Sequence, residues 1–150
     1  MSSLKRFSNT VETTASAEDI WAIWTNVERW PEWDSELVSA CLDGAFALHA
    51  TGHLVPKQGG RSRFVISQFA DSGSPESRSY RLSVQLPLCK LHVRRFFEDA
   101  LLEEAQDKLR FTHEVSFEGP SAFLFSALLG RRFRAVLPQV MQSIKVMAES

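Results

Sequence analysis

The chain has little of what usually announces a function. It contains two cysteines, Cys41 and Cys89, with no CxxC spacing and no partner set for zinc. Neither a disulfide framework nor a zinc centre is expected, and the thiols read as reduced, packed side chains of a cytoplasmic protein. No apolar run approaches the ~20 residues needed to cross a bilayer. The opening MSSLKRFSN carries basic residues but no apolar segment behind them, so it does not read as a secretory signal. A formal net charge of −1 gives no field toward nucleic acid or anionic lipid. Phosphate-loop and dinucleotide fingerprints are missing, and no cofactor is expected. Ser67, Ser83 and Ser116 lie in no glycine-flanked elbow and beside no evident base. With no repeat, low-complexity tract or linker, residues 1–150 read as a single domain.

What is present is an ordinary globular composition, 44% hydrophobic and 23% charged, in a chain long enough to bury a core without staples. Tyrosine occurs once, at Tyr80, whereas the four tryptophans all fall between residues 21 and 33, in WAIWTNVERWPEW. Large rings so crowded anchor a core or line an apolar pocket. Pro31 forbids one helix through them, so the stretch is expected to form two short helices broken at the proline. Ser16 with Asp19 three positions on reads as an N-cap with an acidic first turn, and Ile20, Ile23, Trp24 and Val27 recur at helical spacing.

Around this stretch the pattern is that of strands. Residues 4–13 alternate weakly, and 37–42, 48–56 and 61–70 are strand-like runs separated by turn residues such as Asp43-Gly44 and Gly59-Gly60. From Ser79 to Leu86 the alternation is complete, with Tyr80, Leu82, Val84 and Leu86 on one face. Residues 88–103 and 108–118 read as two long strands joined by a turn near Ala105-Gln106. Their register is open: an even-length turn would pair His113 with Glu98 and set the inward sense of Arg95 against that of Phe111 and Val115. After Gly119-Pro120-Ser121 the period changes, and Phe133, Leu137, Val140, Met141, Ile144 and Met147 form the stripe of one long helix, with Pro120 in its first turn and a kink at Pro138.

Ala17, Ile20-Trp21, Val27 and Trp30-Pro31-Glu32-Trp33, with the segments Gly52-x-Leu54-x-Pro56-Lys57, Leu86-Pro87-Leu88 and Phe117-x-Gly119-Pro120, resemble the START-like (SRPBCC) superfamily, and within it the polyketide cyclase/dehydrase-like branch. The resemblance runs over essentially the whole chain. It implies an α+β helix-grip fold: a curved antiparallel sheet of about six to seven strands wrapped around a long C-terminal helix, with two short helices after the first strand. It also implies a small hydrophobic ligand held between sheet and helix, and a ligand-facing set of Trp33, Phe64, Tyr80, Leu82, Arg95, Phe111, His113, Leu137 and Met141. Where many relatives have glycine before the third strand, this chain has His49.

Three functions follow as expectations. The first is non-covalent binding, transport or sensing of the ligand. The second is a cyclase- or dehydratase-type enzyme on a polyketide-like carbonyl compound, with His113 and Tyr80 or Arg95 moving protons. The third is a helper module in a lipid or quinone pathway that meets a protein through Arg131, Arg132 and Arg134. His113 on an apolar face must find a partner or a ligand, and a side chain or water serves as well as a substrate. A metal is not expected: on a strand His49 and His53 stand ~13 Å apart, too far for one ion. Nucleic acid and stable membrane insertion are not expected partners.

Overall fold

The structure is a computed structural model that describes residues 3–98 and 108–150. Seven strands alternate in direction along one sheet: β1 (Ser3–Thr13), β2 (Leu37–Asp43), β3 (Thr51–Pro56), β4 (Ser62–Ala70), β5 (Ser79–Leu86), β6 (Cys89–Glu98) and β7 (Leu109–Gly119). Their order is β1-β7-β6-β5-β4-β3-β2, every pair antiparallel. The helix α1 (Ala17–Thr25) and a 3₁₀ helix (Val27–Glu32) follow β1, and α2 (Ala122–Glu149) closes the chain. This is the expected helix-grip arrangement.

The local chemistry places the boundaries. Ser16 caps α1 by accepting a hydrogen bond from the Asp19 amide at 3.1 Å. The break between the two short helices falls at Asn26 rather than at Pro31, which sits inside the 3₁₀ helix. The short 3₁₀ turn leaves little hydrogen bonding for a proline to interrupt. α2 begins at Ala122, after Ser121, so Pro120 precedes the helix and does not stand in its first turn. The helix then runs through Pro138 to Glu149.

Glycine is required at two points. Gly119 has φ +132°, and a Cβ there would come within 2.7 Å of the Leu88 carbonyl, so the strand can turn into α2 only with glycine. At Gly52 a Cβ would overlap the Cys41 carbonyl and come within 2.5 Å of the Phe64 ring. His49 adopts φ 71°, the left-handed conformation that explains a glycine preference before the third strand. Its amide is held by the Ile66 carbonyl at 2.8 Å.

The long helix lies over the β1–β7 side of the sheet, while α1 and the 3₁₀ helix cover the rest of the inner face. Gly130 is seated against the Phe7 ring. At the far end Glu149 accepts from Thr13 Oγ1 at 2.6 Å, and Lys145 donates to the Glu12 carbonyl at 3.0 Å. Two apolar clusters result. The larger joins Ile20, Trp24, Val27, Trp30 and Trp33 to Phe64, Tyr80, Leu82, Phe97 and Phe111 from the strands and to Val140, Met141 and Ile144 from α2. The smaller gathers Cys89, Val115, Phe117 and Ala122. Cys89 is buried, but Cys41 is exposed, so only one thiol is packed as expected. Cys41 is exposed because the alternation that buries Ala40 turns its neighbour to the other face of β2.

Candidate functional site

The open register of β6 against β7 is settled by the strand pairing. Arg95 stands opposite His113, and Tyr80 stands opposite Arg95. Because directly paired residues project from the same face, Phe69, Tyr80, Arg95, His113 and Asn9 form one row across five strands, on the side that the helices cover. Arg95 therefore points inward with His113, and it is only 5% exposed.

The tryptophan stretch closes over this row. The Arg95 guanidinium lies 4.7 Å from the Trp30 ring centre, 5.0 Å from Trp33 and 5.5 Å from Tyr80, so three aromatic faces surround the cation. Its Nη1 donates to the Tyr80 hydroxyl. That hydroxyl donates in turn to the Trp24 carbonyl at 2.9 Å, which also accepts from Trp30 Nε1 at 3.0 Å. The carbonyl is free to do so because α1 ends one residue later, leaving the last turn's carbonyls without helical partners. The Trp24 ring stacks on Phe97 at 4.8 Å and meets His113 at 5.7 Å, and Trp33 meets His113 edge-on at 6.0 Å.

Four nitrogens of this assembly are buried with no hydrogen-bond partner: Trp24 Nε1, Trp33 Nε1, Arg95 Nε and His113 Nε2. Native interiors leave few such groups, and four in one assembly, one of them on the cation itself, is a concentration. Burial, with the Arg95 charge adding to it, holds the His113 imidazole well below its ordinary 6.5, so it is neutral. Burial pushes the Tyr80 phenol up, although Arg95 works against this. Asp34, at the end of the tryptophan stretch, has its carboxyl raised chiefly by burial, against the pull of the Glu36 amide it accepts from and of Arg95.

All nine residues of the expected ligand-facing set are buried. Trp33, Tyr80, Arg95 and His113 meet at this centre. Phe111 touches His113 and Trp24, and Phe64 packs on Trp30. Leu82 and Met141 belong to the same apolar cluster, whereas Leu137, buried on α2, stands outside both clusters. Sequence reading passed over Trp24, the ring and carbonyl that tie the centre together. Its position on the buried stripe with Ile20 and Val27 was the available signal.

On the outer face the sheet carries a second polar series. Arg81 Nε donates to Ser67 Oγ at 2.9 Å, Ser67 and Ser83 hydroxyls lie 2.6 Å apart, and Ser83 Oγ lies 2.7 Å from His92 Nδ1. His92 Nε2 is 3.1 Å from Glu118. Next to it a hollow of about 270 Å³ is lined by Arg6, Gln68, Arg81, His92, Arg94, Glu114, Ser116 and Glu118. The serine–histidine–carboxylate order was invisible in the sequence, since three strands bring it together. It does not assemble an acyl-transfer site. Ser83 lies mid-strand between two ladder partners, so the neighbouring amides are committed to the sheet and cannot form an oxyanion hole.

Of the three arginines on α2, Arg132 is held by Glu36 and Gln58, and Arg134 lies 4.6 Å over the Phe7 ring. These two grip this chain's own surface, while all three arginines stay exposed. No group of histidine, cysteine, aspartate and glutamate among the described residues is arranged to hold a metal. No helix among them is long and apolar enough to cross a membrane.

The family described as polyketide cyclase / dehydrase and lipid transport matches residues 5–149. The chain belongs to that family. No curated protein matches it. Among solved structures, the di-domain ARO/CYC StfQ of the steffimycin biosynthetic pathway superposes with a TM-score of 0.72 at 12% identity, over 97% of this chain and 51% of that one. This chain thus spans about half of StfQ. A START superfamily protein from Mycobacterium smegmatis is 19% identical with a TM-score of 0.63, covering 96% of this chain and 97% of the other. Norcoclaurine synthase from Thalictrum flavum is 12% identical with a TM-score of 0.67, covering 97% and 87%. At these identities the likeness is one of fold.

Proposed function

We propose that this family member binds a small hydrophobic molecule non-covalently on the inner face of the sheet, beneath the tryptophan stretch and α2. The observation that carries the reading is the set of four unpartnered buried nitrogens inside an aromatic box. Such groups cost about 1–3 kcal/mol each when left unsatisfied, and a guest that brings acceptors removes that cost. The surrounding rings supply the apolar walls such sites use. Because Trp24, Trp33 and His113 already touch, the guest enters by parting side chains, and binding therefore changes the environment of the tryptophans. Native mass spectrometry of the purified protein tests this. A copurified or titrated adduct of a few hundred daltons is the expected result, and only unliganded protein after exposure to a panel of hydrophobic compounds would overturn it.

A second reading, an enzyme of cyclase or dehydratase type, is favoured by the Arg95–Tyr80 hydrogen bond beside His113. The direction of the two shifts argues against it. A histidine kept neutral well below 6.5 is a weak base, and a phenol pushed up is a weak acid, so neither is tuned for proton transfer near neutral pH. Under the enzyme reading His113→Ala abolishes turnover of a polyketide-like substrate while leaving its binding intact. Unchanged turnover removes His113 from that mechanism.

A further inference from the structure

The binding reading leaves the polar character of the ligand open, and the electrostatics of the centre narrow it. Arg95 carries a full charge on a side chain that is 5% exposed. None of the ion pairs among the described residues includes it. Asp34, whose carboxyl senses the Arg95 charge, directs an oxygen to the Glu36 amide at 3.0 Å instead. Among the described residues the hydrogen bond that Arg95 makes uses Nη1, its Nε is buried without a partner, and no group among them meets the Nε–Nη2 edge of the guanidinium. That edge is the planar fork that takes both oxygens of a carboxylate.

The two unpartnered tryptophan nitrogens point the same way. Trp24 Nε1 and Trp33 Nε1 are donors only. Their rings both pack on His113, the residue opposite Arg95. The Tyr80 hydroxyl already donates its hydrogen bond to the Trp24 carbonyl. The centre is thus rich in donors, poor in acceptors and positively charged. A neutral guest would satisfy some donors but leave the buried charge unanswered.

We propose that the molecule bound here is a hydrophobic carboxylic acid in its anionic form, its carboxylate on the Nε–Nη2 edge of Arg95 and its apolar body among the rings of Trp24, Trp33, Phe97 and Phe111. This rests on the inner-face binding reading above. Charge-assisted, two-point contacts of this kind separate an acid from its neutral ester by about ten- to a hundred-fold.

Two acid and ester pairs test it, 2-naphthoic acid with methyl 2-naphthoate and decanoic acid with methyl decanoate. Each is titrated at pH 7.5 into the wild-type protein and into Arg95→Met, following tryptophan fluorescence and calorimetric heat. The expected result is at least a tenfold preference for one acid over its ester in the wild type. In Arg95→Met that preference is expected to disappear, the acid losing more affinity than its ester. Equal affinity of acid and ester in the wild type overturns the carboxylate assignment and leaves the hydrophobic-ligand reading standing. Binding of neither member of either pair counts against the inner-face site itself, and the assignment falls with it. If Arg95→Met does not fold, the wild-type comparison alone still decides, and Arg95→Lys, which keeps the charge but loses the fork, is expected to retain only part of the preference.

Discussion

Replacing Arg95 by methionine should stabilise the unliganded protein. Bringing a guanidinium inside costs several kcal/mol even after relaxation. Against this stand one charged hydrogen bond to the Tyr80 hydroxyl, worth about 1.5–3 kcal/mol, and contacts with three rings worth about 0.5–2 kcal/mol each. No carboxylate among the described residues pairs with it directly. Methionine has similar reach, restores part of the ring contact through its sulfur, and leaves the Tyr80–Trp24 hydrogen bond intact. Exchanging a buried ionic group for a packed apolar one is typically neutral or stabilising by about 1–4 kcal/mol. At about 2–4 °C per kcal/mol for a chain of this size, Tm should rise by several degrees. Urea denaturation of the two proteins without ligand measures the difference. A loss above about 1 kcal/mol would refute the reasoning, because Arg95 would then be a structural strut and not a charge retained for a guest. Tyr80→Phe separates the two cases. It leaves Nη1 of Arg95 unpartnered and should cost about 1–3 kcal/mol in the wild type, but much less in the Arg95→Met background.

Gly52→Ala should destabilise by about 1–3 kcal/mol or more, because the added Cβ meets a backbone carbonyl and the Phe64 ring, and neither can retreat cheaply; denaturant midpoints measure it. Stability should fall as pH drops below the unfolded histidine value of 6.5, by up to about 1.4 kcal/mol per pH unit per histidine. The sign follows from His113 and His92, both lowered in the fold. The unfolded chain takes up their protons near pH 6.5 while the folded one does not, and the slope ends only below the folded values. Thermal melts between pH 7.5 and 5.5, where ordinary carboxylates stay ionised, should show this slope, and His113→Phe should reduce it. Arg132→Ala, which removes an exposed contact to Glu36 and Gln58, should leave Tm unchanged within error.

The fold was legible because its signals are local. Alternation from Tyr80 to Leu86 marks a half-covered strand whatever lies beside it, and the stripe from Phe133 to Met147 marks a helix. Ser16 and Gly119 punctuate them through their own chemistry. The centre was only half legible, because its composition depends on pairings between distant strands. Whether Arg95 faces His113 is decided by the register of β6 on β7, and no periodicity within either strand carries that information. The outer series from Ser67 to Glu118 was hidden for the same reason: each member is unremarkable until the ladder sets them in line.

Trp24 shows why the tryptophan stretch and the centre cannot be separated into packing and function. Its ring fills the core against Phe97, which is what a run of tryptophans leads one to expect. Its carbonyl, released because α1 ends at the next residue, holds Tyr80 and Trp30, and through Tyr80 it fixes the Nη1 edge of Arg95. A longer α1 would give that carbonyl a helical partner and turn the Tyr80 hydroxyl loose from it. The helix break at Asn26 is therefore what leaves the Nε–Nη2 edge of Arg95 as the open side of the cation. The same short stretch that identifies the fold thus sets which edge of the buried charge the chain's own groups occupy.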